Sequence, residues 1–463
     1  MKYFDSWCKF LFVSLFIFIN NNTAQAQAWI ELGTGSSALN ANGGIASIFV
    51  DRSNNLYAGG DFVNSSGYYF VAKWNGTTWS ELGAGSSALK ANSPVYTICT
   101  DTAGNLYGAG DFTDGNGKRY VAKWNGTSWS ELGTGSNALN ANSIIYTICT
   151  DTLGDLYAAG DFKDVNGKRY VAKWNGTSWS ELGTGSIALN ADSIIYSICV
   201  NKNGVLYAGG YFTNSSLYNY VASWDGSSWN EVGAGANALD ANCFITSVIT
   251  DPTGNIYVGG CFTDASNRAH VSMWNGTSWN EIGIGINGLN VNGIIAQICR
   301  DKVGNIYVGG AFTDVYGKEY VSKWDGTSWN ELGTGTNVLS ANSYIFTLCT
   351  DANQNIYCAG NFTDASGKFY VAEYSNATRV SQLNNNSGDV QLYPNPTDNI
   401  LNIAINETLI GSNYFIFAIS GKQVLYGKFD HVNTSIDLSN FPGGLYFMKL
   451  DDHTNNTYKI IKY

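Results

Sequence analysis

Short runs of apolar, β-branched and aromatic residues recur along most of the chain, separated by turns rich in Gly, Asn, Asp and Thr. In the copy that begins at residue 95 these runs are VYTICT, LYGAG, YVAKW and WSELG. Such runs predict β-strands, because helices would need an apolar period of about 3.6 residues, which is absent here. We name the four predicted strands of each copy A, B, C and D in chain order.

The pattern repeats every fifty residues, and a tryptophan marks the start of strand D in each copy. Four short strands per repeat of this length are typical of a propeller blade. We expect these tryptophans to be packing residues rather than sugar-stacking platforms, because they hold the same place in every copy. They are Trp29, Trp79, Trp129, Trp179, Trp229, Trp279 and Trp329.

The two ends of the array complement each other. The last copy stops at residues 371–378 without a strand D, whereas residues 29–33 (WIELG) form a strand D without a preceding strand C. If residues 29–33 supply the outer strand of the last copy, seven complete blades close into a ring. We therefore predict an all-β fold, with a seven-bladed β-propeller at residues 27–378 and a small C-terminal β-sandwich.

The repeats resemble those of kelch-type propellers, in which a Gly-Gly pair ends the second strand and a tryptophan lies on the fourth. The resemblance implies a propeller fold and no particular activity, because propellers support many functions. The matching pairs are Gly59-Gly60, Gly209-Gly210, Gly259-Gly260 and Gly309-Gly310, and Ala109, Ala159 and Ala359 replace the first glycine elsewhere.

The N-terminal residues have the pattern of a secretory signal peptide. Lys2 and Lys9 precede an apolar run over residues 10–19, and Ala24-Gln25-Ala26 supplies a small-residue cleavage site. The apolar run is shorter than the roughly 20 residues that a membrane-spanning helix needs. We expect a signal peptide at residues 1–26, cleavage before Gln27 and no transmembrane segment.

A new pattern follows a polar linker at residues 379–388. The segment 389–463 contains Tyr393-Pro394-Asn395-Pro396 and Gly444-Leu445-Tyr446, and it resembles the type A sorting domain of the type IX secretion system. The resemblance implies contact with that secretion machinery, removal of the domain after export, and release or attachment at the outer cell surface. The alternative is an ordinary accessory β-sandwich.

Charge and composition narrow the classes of function. The net charge of −11 disfavours nucleic acids and anionic membranes, which are bound by basic surfaces. Residues 27–378 contain a single histidine, His270, so a Ser-His-Asp triad or a multi-histidine metal site lacks its residues. We therefore expect that the protein is not an enzyme and that it holds no cofactor and no metal ion. We also expect it to be a monomer.

Two kinds of cysteine are present. Cys99, Cys149, Cys199, Cys299 and Cys349 share one position of strand A, where we expect buried thiols. In the fifth copy, Cys243 and Cys261 lie at opposite ends of the predicted A–B hairpin. They would face each other across its strands, so we predict a disulfide bond, consistent with an oxidising compartment.

The candidate ligand-binding residues lie where the copies differ. The longer B–C and D–A connections share one face of the disc, which makes that face the expected binding surface. Two positions vary near its axis, the end of strand B and the start of strand A. The first reads Asp61, Asp111, Asp161, Tyr211, Cys261, Ala311 and Asn361, and the second reads Ala46, Tyr96, Tyr146, Tyr196, Thr246, Ala296 and Phe346, with Phe244 and Tyr344 two residues before the latter position in their own copies.

Aromatic rings beside carboxylates indicate a glycan or protein site, so we interpret the chain as a surface binding or adhesion module. Another interpretation is that these aromatics fill gaps between blades while Asp111 and Asp161 pair with Arg119 and Arg169. A structural spacer and, less favoured, a carbohydrate-active enzyme using the aspartates remain alternatives.

Overall fold

The structure is a computed structural model that describes residues 28–333, 337–375, 390–395, 397–419, 421–450 and 457–462. The described residues belong to two compact units, one within residues 27–377 and one in the C-terminal part of the chain. The predicted signal peptide and the predicted linker lie outside the described residues.

The first unit consists of short strands. The chain enters through β1 (Trp29–Glu31). The first three blades contain β2 (Ile45–Val50), β3 (Leu56–Gly60), β4 (Ala72–Trp74) and β5 (Trp79–Glu81); β6 (Val95–Thr100), β7 (Leu106–Gly110), β8 (Ala122–Trp124) and β9 (Trp129–Glu131); and β10 (Ile145–Thr150), β11 (Leu156–Gly160), β12 (Ala172–Trp174) and β13 (Trp179–Glu181).

The remaining blades follow the same order. They contain β14 (Ile195–Val200), β15 (Leu206–Gly210), β16 (Ala222–Trp224) and β17 (Trp229–Glu231); β18 (Ile245–Thr250), β19 (Ile256–Gly260), β20 (Ser272–Trp274) and β21 (Trp279–Glu281); β22 (Ile294–Arg300), β23 (Ile306–Ala311), β24 (Ser322–Trp324) and β25 (Trp329–Glu331); and β26 (Ile345–Thr350), β27 (Ile356–Gly360) and β28 (Ala372–Tyr374). Single 3₁₀ turns lie in the D–A loops at Gly35–Ser37, Gly85–Ser87, Gly135–Asn137, Gly185–Ile187, Gly235–Asn237 and Gly285–Asn287.

Within the described part of the first unit, these strands form seven antiparallel four-stranded sheets, which confirms the predicted propeller. Six sheets use consecutive strands, whereas the seventh has the order β1-β28-β27-β26. In that sheet Trp29 lies opposite Tyr374, and Glu31 lies opposite Ala372. Residues from the two ends of the array therefore complete one blade together.

The tryptophans of strand D link neighbouring blades. Each indole N–H donates a hydrogen bond to a backbone carbonyl of the preceding blade, as in Trp79 to Leu32 at 2.8 Å and Trp179 to Leu132 at 2.9 Å. Trp29 makes the equivalent bond to Leu332 at 2.9 Å, from the first strand of the chain to the sixth blade. Each indole also packs against the aromatic ring at the end of strand C, at 5.4–5.8 Å between centroids. The tryptophan series is therefore structural.

The second glycine of each Gly-Gly pair is required by backbone packing. A Cβ atom added at Gly60 would overlap the carbonyl oxygen of Gly44, and the same holds for Gly210 and Ile194. The first glycine instead faces side chains of the next blade, such as Val95 opposite Gly59. This difference explains why the sequence tolerates alanine at the first position and keeps glycine at the second in all seven copies.

The A–B turns are built by their aspartates. The Oδ1 atom of Asp151 accepts hydrogen bonds from the backbone N–H groups of Leu153 and Asp155, and its Oδ2 atom accepts one from the Tyr157 hydroxyl at 3.1 Å. The same arrangement recurs at Asp51, Asp101, Asp251, Asp301 and Asp351. These carboxylates serve as turn formers.

The C-terminal unit packs two sheets around one core. One sheet has the order β29-β30-β33 and the other β32-β31-β34-β35. Ile403, Ile416, Met448 and Ile460 are fully buried between them. The strands are β29 (Val390–Tyr393), β30 (Ile400–Ile405), β31 (Asn413–Ala418), β32 (Gln423–Lys428), β33 (Asn433–Asp437), β34 (Gly444–Leu450) and β35 (Thr457–Lys462), with a 3₁₀ turn at Glu407–Leu409.

The two sequence motifs of this unit have structural roles. Asn395 donates a hydrogen bond to the carbonyl of Lys459 at 2.6 Å and accepts one from the backbone N–H of Ile461 at 2.8 Å, which fixes the last strand. The Tyr446 hydroxyl donates to the carbonyl of Pro442 at 2.7 Å. In the part of the chain that the structure describes, no helix has the length and apolar character needed to cross a membrane.

Candidate functional site

The candidate site lies on the face that carries the B–C and D–A loops. Within each blade the antiparallel order places these loops at the same ends of the strands. Isolated bridges join the two kinds of loop, as between Tyr69 and Ala91 and, across the ends of the array, between Ala41 and Phe369. The face is therefore a continuous ring of bonded loops.

Each inner strand carries a β-bulge near this face. In the second blade Val95 pairs with Gly110 and Thr97 pairs with Ala109, so Tyr96 is the additional residue. The same irregularity occurs in all seven blades. A bulge frees one side chain from the regular alternation of the strand and redirects it. The bulge residues are the predicted series Ala46, Tyr96, Tyr146, Tyr196, Thr246, Ala296 and Phe346.

The residue after the bulge joins adjacent blades. The hydroxyl oxygen of Thr97 accepts a hydrogen bond from the backbone N–H of Ile148 at 3.3 Å, and the side-chain oxygen of Gln297 accepts one from Leu348 at 3.2 Å. Thr347 receives the equivalent bond from Ile48 at 3.1 Å, which connects the last blade to the first. These hydrogen bonds join the inner strands of adjacent blades, so each bulge residue lies next to a bond that fixes the position of its strand.

Five aromatic side chains from four consecutive blades, the second to the fifth, form a continuous row, which we call the aromatic arc. They are Tyr96, Tyr146, Tyr196, Phe244 and Tyr211. Successive ring centroids in this order are 6.0, 5.6, 5.6 and 5.7 Å apart. The first four rings are half-buried, whereas Tyr211 is 51% exposed. The arc therefore consists of four partly accessible rings and one exposed ring at its end.

The remaining candidates lie outside the arc. Tyr344 and Phe346 form a separate exposed pair with centroids 6.5 Å apart. The bulge residues Ala46 and Ala296 are small, and the Thr246 hydroxyl donates to the carbonyl of Gly259 at 3.0 Å. At the ends of strand B, Ala311 offers no polar group and Asn361 is exposed. The bulge residues of this face therefore form the aromatic arc on one side. On the other side most of them are small, and the aromatic side chains there are the pair Tyr344 and Phe346.

The carboxylates beside the arc are partly engaged. The Oδ1 atom of Asp111 accepts two hydrogen bonds from Arg119, and Asp161 is bound in the same way by Arg169, each ion pair having a shortest distance of 2.8 Å. Asp161 also accepts a bond from the Ser143 hydroxyl at 3.0 Å. These ion pairs belong to the interpretation in which the aspartates are structural, and they leave Asp111 Oδ2 without a donor among the described residues.

Three tyrosines of the arc, Tyr96, Tyr146 and Tyr196, have a raised pKa and stay protonated over the physiological range. Burial raises the pKa of Tyr96, and the charges of Asp111 and Asp61 raise it further. Burial and the neighbouring Tyr196 and Tyr96 phenols raise the pKa of Tyr146. Their hydroxyl groups can therefore donate hydrogen bonds to a ligand.

A disulfide bond joins Cys243 and Cys261 beside the arc, with the two Cα atoms 5.4 Å apart. Cys243 directly precedes Phe244, and Cys261 holds the strand-end position that is aspartate in the first three blades. In the fifth blade a disulfide-bonded cysteine therefore takes the place of the aspartate. The bond constrains the backbone next to Phe244, which directly precedes β18.

We expect alkylation of the denatured, unreduced protein to modify six of the eight cysteines that follow residue 27, and reduction to make all eight accessible. Intact-mass measurement distinguishes the two counts. The double variant C243S/C261S should lose about 3 kcal/mol of stability, as expected for a loop of this size. Eight labels without reductant would contradict the bond.

The other cysteines have buried thiol groups. As whole residues, Cys99 and Cys358 are buried and Cys149, Cys199, Cys299 and Cys349 are half-buried, but burial raises the pKa of the thiol in all six. All six are free, and burial of the sulfur raises the pKa of Cys199 to about 12. The thiols are therefore protonated and act as small apolar groups.

The sequence reasoning missed a depression on the opposite face. A cavity of about 200 Å³ opens among the A–B turns of the first four blades, with Arg52, Asp101, Asp151 and Lys202 in its lining. The two aspartates are held by their turns. Among the described residues, no group of three or more His, Cys, Asp or Glu side chains is placed to hold a metal ion.

The sequence of the C-terminal unit matches a known family. Residues 391–463 match the family described as the secretion system C-terminal sorting domain. The C-terminal unit is a secretion sorting domain. The sorting domain directs export through the type IX secretion system, so the protein is secreted or displayed at the cell surface. Asn395 and Tyr446, which lie in the motifs that suggested the family, are among the residues that hold the sorting domain together.

No curated protein matches the chain. Among solved structures, the extracellular domain of BT3049 from B. thetaiotaomicron, described as a hybrid two-component system, is 13% identical with a TM-score of 0.52, over 94% of this chain and 57% of that one. The extracellular domain of BT4673 from the same organism is 13% identical with a TM-score of 0.50, over 94% and 47%. PorZ of Porphyromonas gingivalis, a surface component of the type IX secretion system, is 14% identical with a TM-score of 0.47, over 91% and 59%.

The chain spans about half the length of these structures. The likeness to the two extracellular domains from B. thetaiotaomicron shows the fold alone. The matched family covers residues 391–463, and the kelch resemblance of the repeats stays a prediction.

Proposed function

We propose that the protein is an extracellular binding module that holds a glycan chain along the aromatic arc. The observation that carries this proposal is the row of five rings on the inner edge of the loop-bearing face. Four copies supply these rings. Three of the rings belong to bulge residues, and the other copies have Ala46, Thr246, Ala296 and Phe346 at that position.

The pairing of the inner strands does not depend on an aromatic residue at the bulge. Ala46 and Ala296 occupy the same bulge position in blades with the same pairing, so the tyrosine rings are not needed to form the sheet. Tyrosine combines an apolar ring with a hydroxyl group, and sugars offer matching C–H faces and hydroxyl groups. The free Oδ2 atom of Asp111 supplies an acceptor beside the rings.

The chemistry of the site supports binding rather than turnover. The Asp111 and Asp161 carboxylates each use one oxygen atom to accept two hydrogen bonds from an arginine, so that oxygen is already engaged within the protein. The alternative functions are a spacer in the surface layer and a carbohydrate-active enzyme.

A glycan array probed with the purified protein tests the proposal. We expect retention on at least one glycan and a loss of affinity of about tenfold for each of Tyr96→Ala, Tyr146→Ala and Asp111→Ala. Tyr68→Ala is the control, because Tyr68 is an exposed tyrosine of a B–C loop on the same face and lies outside the arc.

Two outcomes would contradict the proposal. Failure to retain any glycan, together with failure to bind extracellular matrix proteins, would favour the spacer. Polysaccharide turnover that is abolished by Asp61→Asn, Asp111→Asn or Asp161→Asn would identify an enzyme instead.

A further inference from the structure

The sixth blade differs from the other copies at its outer loops. Ile284 and Ile286 lie in the D–A loop that enters this blade, and every other copy has Thr, Ala or Ser at both positions. Tyr316, in the B–C loop of the same blade, replaces Ser or Asn, and Val315 beside it has an apolar counterpart of similar size only in Val165. These four side chains are 75–99% exposed. Clustered exposed apolar residues mark interaction surfaces.

The two loops are joined to each other. The side-chain oxygen of Asn292 accepts a hydrogen bond from the backbone N–H of Thr313 at 3.1 Å, which ties the D–A loop to the B–C loop. A cavity of about 260 Å³ opens beside them. Its lining combines apolar and aromatic groups with two carboxylates: Leu289, Val315, Tyr316, Trp329, Asp314 and Glu331.

One carboxylate of this cavity, that of Asp314, lacks the amide donor that its counterparts in the second and third blades have. In the second and third blades, the side-chain amides of Asn116 and Asn166 donate to Oδ2 of the loop aspartate at 3.3 and 3.2 Å. Tyr316 stands at that position in the sixth blade and has no amide to donate. Among the described residues, Asp314 Oδ2 has no donor.

Glu331 has no described donor either. In the first and fourth blades, the amides of Asn64 and Asn214 donate to the equivalent glutamates at 3.0 Å, whereas the sixth blade has Asp314 at that position. Burial and the Asp314 charge raise the pKa of Glu331. Burial and the equivalent aspartate likewise raise the pKa of the glutamate in three other blades, at Glu31, Glu131 and Glu181. The apolar residues around the pair are therefore what distinguish the sixth blade.

We propose that this surface docks a partner polypeptide through a lysine or arginine side chain flanked by apolar residues. The cationic group would enter between the neighbouring carboxylates of Asp314 and Glu331, which attract positive charge, and beside the rings of Tyr316 and Tyr320, which also attract cations. The flanking apolar side chains would cover Ile284, Ile286 and Val315. This surface is separate from the aromatic arc.

Random peptides displayed on phage, selected on the purified protein, test the proposal. We expect the enriched sequences to contain Lys or Arg next to a large apolar residue. Their affinity should fall at least tenfold for two variants, D314N/E331Q and I284T/I286S/V315A/Y316S. The substitutions in the second variant are drawn from residues that other copies carry at these positions, and circular dichroism melting checks that both variants fold.

The variant D164N/E181Q is the matched control, because the third blade has the same pair of carboxylates with Asn166 in place of the tyrosine. It should bind the selected peptides as well as the unaltered protein does. Enrichment of peptides without basic residues, equal binding to all variants, or no enrichment would overturn the proposal. A dimer of the protein that becomes monomeric in the I284T/I286S/V315A/Y316S variant would identify a second copy as the occupant and would also overturn it.

Discussion

Removal of residues 28–33 should lower the free energy of unfolding of the propeller by about 5 kcal/mol. The deletion leaves the seventh blade with three strands and exposes Tyr374, which is buried in the intact sheet. It also removes the indole of Trp29, its hydrogen bond to Leu332 and its contact with Tyr374. Urea denaturation followed by tryptophan fluorescence measures the loss.

A circular permutant is the control for this deletion. Residue 374 would be joined to residue 29 by a four-residue turn copied from Asn125–Ser128, and the new ends would lie between Gly176 and Thr177, which are exposed. Because every strand of the propeller is kept, we expect stability within about 1 kcal/mol of that of the unpermuted propeller. If the deletion were harmless, or if the permutant lost as much stability as the deletion, closure by β1 would be contradicted.

The second large effect concerns a tryptophan inside the array. Trp179→Ala should cost about 3–5 kcal/mol, because it empties a buried site against Trp174 and removes the bond to the Leu132 carbonyl. Trp179→Phe keeps most of the ring but loses the N–H group, so the unpaired carbonyl should cost about 1–3 kcal/mol.

The adjacent Ser180→Ala is the control for these two variants, since Ser180 is exposed and should tolerate the change. Chemical denaturation midpoints rank the three proteins. A loss below about 1 kcal/mol for Trp179→Ala would mean that the tryptophan series is not structural, and its rings would then become candidates for sugar stacking.

The sequence was sufficient to predict the architecture because the repeat fixes it. The tryptophan spacing and the position of residues 29–33 predicted the blade count and the closing strand, since each copy cannot bury its apolar faces alone. The motifs around Asn395 and Tyr446 predicted the sorting domain for a similar reason, because both residues make bonds that the domain needs.

The candidate site could be predicted only in part from the sequence. Variation among copies identified Tyr96, Tyr146 and Tyr196, but not that they are bulge residues, because a bulge depends on the pairing with the neighbouring strand. The packing of their rings into a row depends on side-chain torsions that no spacing encodes. The same comparison of copies would have found Ile286 and Tyr316, had it been extended from the strand ends to the loops.

Hydrogen–deuterium exchange of the segment containing residues 29–33 in the purified protein tests the central claim, that this segment is the outer strand of the seventh blade. The account predicts slow exchange, comparable to residues 79–83, which hold the equivalent place in the first blade. Exchange as fast as that of an unstructured peptide, while residues 79–83 remain protected, would contradict it.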